Sequence, residues 1–196
     1  MLSLAPLRRS KIARTLLALP IALRQRWLAE QEKPYNTILE HLARDAREDI
    51  TLRVEAFSGD FALSPRSHLL RRLLREGHFE PEISTLFFQN INPARDIIDV
   101  GANIGFFTIG GAKALTTGRV LACEPTPGAF ARLRRNVETN GVADKVILFN
   151  GLVSDEAGSF EINSVEGLEE FSSMGPITHP SMRNTRSSSF NAPAAR

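Results

Sequence analysis

The spacing of hydrophobic and polar positions along this chain changes at residue 96. From there the continuous apolar run "DIIDV" is followed by apolar positions at helical spacing, and the same order recurs around "RVLACEP" and "KVILFNGLV". Continuous apolar runs of this length are typical of strands buried on both faces of a parallel sheet. Strands that alternate with helices predict the first half of a doubly wound α/β sheet.

The residues before this change predict separate, smaller elements. The Leu-, Arg- and Ala-rich residues 1–50 predict helices, and the alternating residues 51–63 predict a β-hairpin that turns at "SGD". Ser64 and Pro65 predict the start of a helix that ends at Gly77. The apolar stripe of that helix consists of Leu69, Leu70, Leu73 and Leu74. The stretch "PEISTLFFQNI" predicts a second short helix with Ile83, Leu86 and Phe87 on one face.

Four segments follow from this pattern. We predict a basic helical extension over 1–50, a hairpin with two helices over 51–95, the half domain over 96–163, and a tail over 164–196. After Glu170 the tail has no acidic residue, contains six serines and three prolines, and has little periodicity. Such a segment buries too little apolar surface to offset the entropy of ordering, so we expect it to be disordered.

Net charge and cysteine content indicate which classes of binding partner and which compartment to expect for this chain. A net charge of +2 is too small to favour nucleic acid, so we expect no nucleic-acid partner. The single cysteine, Cys123, fits a reducing compartment, and we expect a cytoplasmic protein without a metal site. The six basic residues that precede Glu30 leave one alternative open, which is peripheral contact of a basic amphipathic helix with a membrane surface.

The glycine loop after "DIIDV" carries the candidate chemistry. A dinucleotide site needs G-x-G-x-x-G, and Asn103 and Phe106 stand where the second and third glycines would be. We therefore disfavour a dinucleotide. Asp99 at the strand end can accept from an ammonium, while the backbone around Gly101 and the following helix start can approach a carboxylate. S-adenosylmethionine carries both groups.

Two residues at the ends of the next strands extend this interpretation. Glu124 follows the second strand, where a carboxylate can accept both hydroxyls of a ribose. Asn150 follows the third strand. Its amide could contact an adenine edge or form loop hydrogen bonds, and the sequence leaves both open.

These motifs resemble a known family. "DIIDVGANIGFFTI", "VLACEPTPGAFARLRRNVETNG" and "VILFNGLVSDEAGSFEI" are similar to the FkbM-type methyltransferases, a class I S-adenosylmethionine-dependent group, and "GHFEPE" matches their Gly-x-x-Glu-Pro pattern. The resemblance covers roughly residues 55–163. It implies a Rossmann-like class I methyltransferase fold, S-adenosylmethionine as cofactor, and O-methylation of a hydroxyl on a sugar, lipid-linked or secondary-metabolite acceptor. The implied cofactor residues are Glu80, Asp99, Gly101, Ala102, Asn103, Gly105, Glu124, Pro125 and Asn150. For Glu80, a role as a helix-start acid is the alternative.

The stretch "SDEAGSFEI" predicts a short fourth strand, and the chain departs from the family after it. An apolar strand ending in Asp-x-Glu-Gly would follow there in the family, and "SVEGLEEF" lacks the preceding apolar run. We therefore expect a C-terminally truncated, partial fold whose first strand is left as an open sheet edge. Two hypotheses follow. The chain is a methyltransferase with reduced or no activity, acting on a small-molecule or glycan acceptor. Alternatively, it is a non-catalytic remnant or split half that pairs with another chain, including a second copy, through that edge.

Overall fold

A computed structural model describes Thr37, His41 and residues 48–165 and 187–195 of the chain. The chain divides into two units, Met1–Ala46 and Arg47–Arg196. In the first unit only the two helical residues Thr37 and His41 are described, so the predicted helical extension lies almost entirely outside the described residues. Within the described ranges, no helix has the length and apolar character needed to cross a bilayer.

The second unit begins with the predicted hairpin. Strand β1 (Ile50–Val54) pairs antiparallel with β2 (Gly59–Leu63), and a short 3-10 turn over Glu55–Phe57 joins them. Phe57 and Phe61 are fully buried, which anchors the hairpin in the main hydrophobic core. The hairpin prediction is confirmed, but the predicted turn at "SGD" is wrong, because the chain turns at Glu55–Phe57 and Gly59 and Asp60 already belong to β2.

Helix α1 (His68–Glu76) and its cap begin three residues later than predicted. Ser64 instead closes a turn, in which the Ser67 backbone N–H donates to the Ser64 carbonyl at 3.0 Å. The helix is capped by Ser67, whose hydroxyl accepts from the Leu70 N–H at 3.0 Å. Leu69, Leu70 and Leu73 are buried as expected, whereas Leu74 is exposed. The placement of Pro65 at the helix start was therefore wrong, because the turn takes that position.

Helix α2 (Pro81–Asn90) follows, and then the parallel sheet. Its strands are β3 (Ile97–Val100), β4 (Val120–Cys123) and β5 (Val146–Phe149), joined by α3 (Phe106–Ala114) and α4 (Pro127–Thr139). The strand order is β3-β4-β5, with all pairs parallel. The α/β prediction of half a doubly wound sheet is confirmed.

The prediction that "DIIDV" is buried on both faces was wrong for the described part of the chain. Ile98 and Val100 are 66% and 60% exposed, and Ile147 on the same face of β5 is 49% exposed. Right-handed crossovers that advance in one direction, β3 to β4 to β5, carry both connecting helices to the same face of the sheet. The other face, and the free edge of β3, have no partner among the described residues.

A second small sheet contains part of the predicted tail. Strand β8 (Ser187–Ala195) lies between β6 (Leu152–Val153), which is parallel to it, and β7 (Gly158–Val165), which is antiparallel. The expectation of disorder was therefore wrong for residues 187–195. The composition of β8 offers few apolar side chains, but its backbone pairs with β6 and β7 and Ala192 is buried. Residues 166–186 lie outside the described residues.

Candidate functional site

The glycine loop between β3 and α3 is held by the end of β4. The backbone N–H groups of Gly101 and Ala102 both donate to the Cys123 carbonyl, at 2.9 and 3.0 Å. Gly101 and Gly105 have positive φ angles of 78° and 97°. Asn103 between them also has a positive φ, 49°, which asparagine tolerates better than most residues. Two glycines and an asparagine thus occupy the three loop positions that have positive φ angles, where other residue types would be strained.

Glu124 binds this loop directly. One carboxylate oxygen accepts from the Asn103 N–H at 2.8 Å and the other accepts from the Thr126 N–H at 2.8 Å. The residue is only 5% exposed. Burial raises the pKa of Glu124, although its hydrogen bonds from Thr126 and Asn103 act in the opposite direction. The carboxylate at the end of β4 thus joins the loop to the start of α4.

Asp99 lies at the end of β3, partly buried. Its carboxylate accepts from the Thr108 hydroxyl at 2.5 Å. Burial raises the pKa of Asp99, and the hydrogen bonds from Thr108 partly oppose this shift. A partly buried carboxylate beside an open cavity is a strong acceptor for a cationic group, because little water competes with the ligand there.

A cavity of about 180 Å³ brings five of the nine predicted site residues together. They are Glu80, Asp99, Gly101, Ala102 and Asn103. The remaining wall is apolar and is formed by Leu69, Phe79, Ile104, Phe106 and Phe107. The cavity thus combines two carboxylates with exposed loop backbone and an aromatic wall.

Glu80 enters this cavity from the start of α2. Its backbone is left-handed, with φ 42° and ψ 61°, which is unusual for a residue with a side chain. Glu80 is the N-cap residue of α2 without a side-chain capping hydrogen bond, so its role as a cofactor residue and the alternative of a helix-start acid both stay predictions. The carboxylate instead lies 3.6 Å from the Arg72 guanidinium, which also stacks on the Phe79 ring. Backbone strain of this kind concentrates at functional sites.

The other four predicted residues lie outside the cavity lining, and they are Gly105, Glu124, Pro125 and Asn150. Gly105 packs beneath the loop, and Glu124 holds the loop from the side of β4. Asn150 donates through its amide nitrogen to the carbonyls of Glu124 at 2.8 Å and Pro125 at 3.3 Å. Its amide nitrogen thus forms hydrogen bonds with the loop that follows β4, which agrees with the alternative of loop hydrogen bonding, and contact with an adenine edge stays a prediction.

Sequence reasoning missed several residues that build the site. Thr108 is fully buried, and its hydroxyl donates to the Asp99 carboxylate. A threonine in the first turn of the helix that follows the glycine loop was a feature of the sequence that could have indicated this contact. Phe106 packs on Phe57 and Phe61 of the hairpin region, with ring centroids 5.2 and 4.6 Å apart. That contact joins segments far apart in sequence, so no local pattern indicates it. Nor did the sequence indicate the role of Asn136, which is described below.

Part of the chain is similar to a known family of domains. The model of the methyltransferase FkbM domain matches residues 99–192. A curated relative, the tRNA wybutosine-synthesizing protein 2 homolog of Danio rerio, is 33% identical over 79 residues, which cover 38% of this chain and 19% of that protein. The chain thus spans about a fifth of the length of this relative.

Two solved structures are also similar. M. jannaschii TYW2 in complex with AdoMet is 16% identical, with 62% of this chain and 66% of that chain covered and a TM-score of 0.41. P. horikoshii TYW2 in complex with MeSAdo is 21% identical, with 47% and 33% covered and a TM-score of 0.36.

Proposed function

We propose that this chain binds S-adenosylmethionine and functions as an S-adenosylmethionine-dependent methyltransferase, since the model of the methyltransferase FkbM domain matches residues 99–192. One observation carries the proposal. The Glu124 carboxylate holds the Asn103 backbone at 2.8 Å, next to a cavity that contains Asp99. An acid at each of two neighbouring strand ends, with a glycine loop between them, matches a ligand with an ammonium at one end and a ribose at the other.

The residues at the site fit this cofactor. Asp99 would accept from the methionine ammonium, and the backbone at Gly101 faces open space, since an added Cβ there would meet no atom within 4 Å. A carboxylate has about four acceptor positions. The two backbone donors and the Thr126 side chain therefore leave Glu124 about one acceptor position for a ribose hydroxyl. The cavity is smaller than the roughly 300 Å³ of a complete ligand pocket, so we assign it to the methionine end.

The cofactor would supply an activated methyl group, and the chain would supply position. Displacement at a methyl carbon depends chiefly on holding the two reacting atoms in line and close together. Asp99 and Glu80 would fix the methionine end, and Glu124 would fix the loop that carries Asn103. The aromatic wall, which includes Phe79 and Phe107, would exclude water from that end.

We propose a hydroxyl on a small molecule or glycan as the acceptor, in line with the family resemblance. The curated relative is named as a tRNA wybutosine-synthesizing protein. RNA is therefore the competing acceptor class, against the expectation of no nucleic-acid partner. The net charge of +2 gives little electrostatic support to RNA, because phosphate binding needs a clustered positive field.

Calorimetry with S-adenosylmethionine tests cofactor binding. We expect binding to the wild-type chain and no response to NAD⁺. Asp99→Asn should bind about tenfold more weakly or worse, because a charge-assisted hydrogen bond is lost. The exposed Asp144→Asn is the matched control and should bind as the wild type does. Absence of binding to the wild type would remove the methyltransferase proposal for this chain.

The acceptor class is tested by transfer of a labelled methyl group. Candidate acceptors are a panel of sugars and lipid-linked glycans on one side and bulk tRNA on the other. Label on a hydroxyl of a sugar supports the proposal. Label on tRNA, with none on the sugars, would assign the chain to RNA instead.

The free edge of β3 supports a second candidate function, that of a split half which pairs with another chain. In the described part of the chain, β3 has only β4 as a neighbour, and the side chains of Ile98 and Val100 are exposed. On α2, Ile83 and Leu86 are also exposed and line an open groove of about 640 Å³ next to Ile97. An exposed apolar strand edge beside an apolar groove favours strand addition from another chain.

Sedimentation velocity separates these candidates. If the edge pairs with a second copy, the wild type will sediment as a dimer, and the double variant Ile98→Lys, Val100→Lys will be monomeric. Val153→Lys, at an exposed position of the other sheet, is the control and should leave the dimer intact. A wild-type monomer that binds S-adenosylmethionine would count against pairing between copies through this edge.

Two further proposals concern the location of the protein. We propose that it is cytoplasmic, and that peripheral membrane contact through the basic N-terminus is the alternative. Cosedimentation with anionic vesicles tests that contact. Binding that is lost when Arg8, Arg9 and Lys11 are replaced by Gln would support it.

A further inference from the structure

Two asparagines on α4 pair with the backbone of the hairpin strand β2. The Asn136 Oδ1 accepts from the Ala62 N–H at 2.8 Å, and its Nδ2 donates to the Ala62 carbonyl at 3.4 Å. The Asn140 Oδ1 accepts from the Asp60 N–H at 3.0 Å, and its Nδ2 donates to the Asp60 carbonyl at 2.7 Å. Each side-chain amide thus replaces a peptide group of a neighbouring strand. We call Asn136 and Asn140 the asparagine clamp.

The spacing of the clamp matches the spacing of a strand. Residues four apart on a helix are separated by about 6 Å along its axis. Residues two apart on a strand are separated by about 6.8 Å. The side-chain amides of Asn136 and Asn140 can therefore reach Ala62 and Asp60, two alternate residues of β2 whose backbone N–H and C=O groups point away from β1. A two-stranded hairpin is marginally stable by itself, and the clamp takes the place of a third strand.

Asn136 makes one contact that Asn140 does not make. Its Nδ2 also donates to the Ile104 carbonyl at 2.9 Å, within the glycine loop. Asn140 instead binds the Lys113 Nζ at 2.9 Å and the Asn136 carbonyl at 2.8 Å. Asn136 is fully buried, whereas Asn140 is partly buried. One buried amide therefore joins α4, the hairpin and the loop, while its neighbour joins α4, the hairpin and α3.

The hairpin also contributes to the cavity through packing. Phe106, which lines the cavity, stacks on Phe57 and contacts Phe61 edge to face. A shift of the hairpin relative to the loop would therefore move the aromatic wall against Asn103 and Ile104. Because the Asn136 side-chain amide binds both the loop and the hairpin, it keeps their relative position constant.

We propose that Asn136 is a positioning residue that couples the hairpin to the cofactor loop. The coupling itself depends only on the contacts of Asn136, and its effect on S-adenosylmethionine rests on the proposed function. Substitution of a residue that merely stabilises the fold would lower the free energy of unfolding without changing the affinity of the folded protein. A positioning residue changes that affinity as well.

The experiment compares Asn136→Ala with Asn140→Ala at a temperature where circular dichroism shows both variants fully folded. Both should speed amide hydrogen exchange in β2, at Ala62 in the first variant and at Asp60 in the second. Calorimetry should show that Asn136→Ala binds S-adenosylmethionine about tenfold more weakly, as expected for loss of one buried hydrogen bond to the loop. Asn140→Ala should change the affinity less than about threefold on the same scale. Equal changes in the two variants, or wild-type affinity in Asn136→Ala, would overturn the proposal.

Two measurements keep the result decisive. If Asn136→Ala does not fold, Asn136→Ser takes its place, because a hydroxyl keeps one polar partner at the site. If the wild type does not bind S-adenosylmethionine, the proposed function fails, but the coupling is still tested by exchange at Asn103 and Gly105. Faster exchange of these loop amides in the Asn136 variant and not in the Asn140 variant supports the coupling. Unchanged exchange in both refutes it.

Discussion

Substitution of the two glycines of the loop by alanine should give different results, although both have positive φ angles. An alanine at either position adopts a left-handed backbone, which costs about 1–2 kcal/mol. At Gly105 the added Cβ would also lie 2.6 Å from Leu133 Cδ1 and 3.4 Å from Ile109 Cδ1. Leu133 and Ile109 are fully buried, so neither can move into free space. Overpacking in a filled core costs about 1–3 kcal/mol more.

We therefore expect Gly105→Ala to lower the free energy of unfolding by about 2–5 kcal/mol. Gly101→Ala should lower it by about 1–2 kcal/mol, because its Cβ meets no atom within 4 Å. Urea unfolding followed by circular dichroism measures both values. The cofactor affinities should rank in the opposite way, since the Cβ at Gly101 projects into the space assigned to the ligand. Calorimetry on the folded fraction measures that loss.

A third variant tests the stated cause. In the background of Gly105→Ala, the change Leu133→Val shortens the side chain that the Cβ meets. The double variant should lose less stability than the sum of the two single changes, because the clash is relieved. Equal destabilisation by Gly101→Ala and Gly105→Ala, or strict additivity with Leu133→Val, would refute the clash argument.

Three other predictions use the groups at the ends of β3 and β4. Glu124→Gln should cost about 1–3 kcal/mol in urea unfolding, because one amide N–H would then face the N–H of Asn103 or Thr126; no change would mean that these two bonds contribute little. Burial raises the pKa of Asp99, so the stability it contributes is present below its unfolded value near 3.8 and is lost as the pH rises through the folded pKa. The wild type should therefore lose stability relative to Asp99→Asn between acid and neutral pH, and a constant difference would contradict this sign. The Cys123 thiol is buried and its pKa is raised by that burial and by the Asp99 carboxylate, so thiol reagents should modify it only under denaturing conditions; rapid modification of the native protein would disagree.

The local patterns of the sequence determined the parallel half of the fold. Each apolar run from residue 96 onward is short and each following helix has its own apolar face, so the order of strands and helices can be read without any distant contact. Asp99, the glycines and Glu124 could be placed at one edge of the sheet for the same reason, because the carboxyl ends of parallel strands always meet there. The sequence therefore predicted that these residues share one edge of the sheet, but it did not predict which of them line one cavity.

Tertiary structure decided the features that depend on distant partners. Asn136 meets Ala62 across 74 positions of sequence, and a polar residue on a helix gives no local signal of such a partner. Strand β8 was misread because its order comes from pairing with β7 rather than from its own composition. The exposure of Ile98 likewise depends on which elements cover the sheet. Propensity and periodicity act over a few residues, whereas burial and pairing are properties of the whole fold, and only the three-dimensional arrangement determines them.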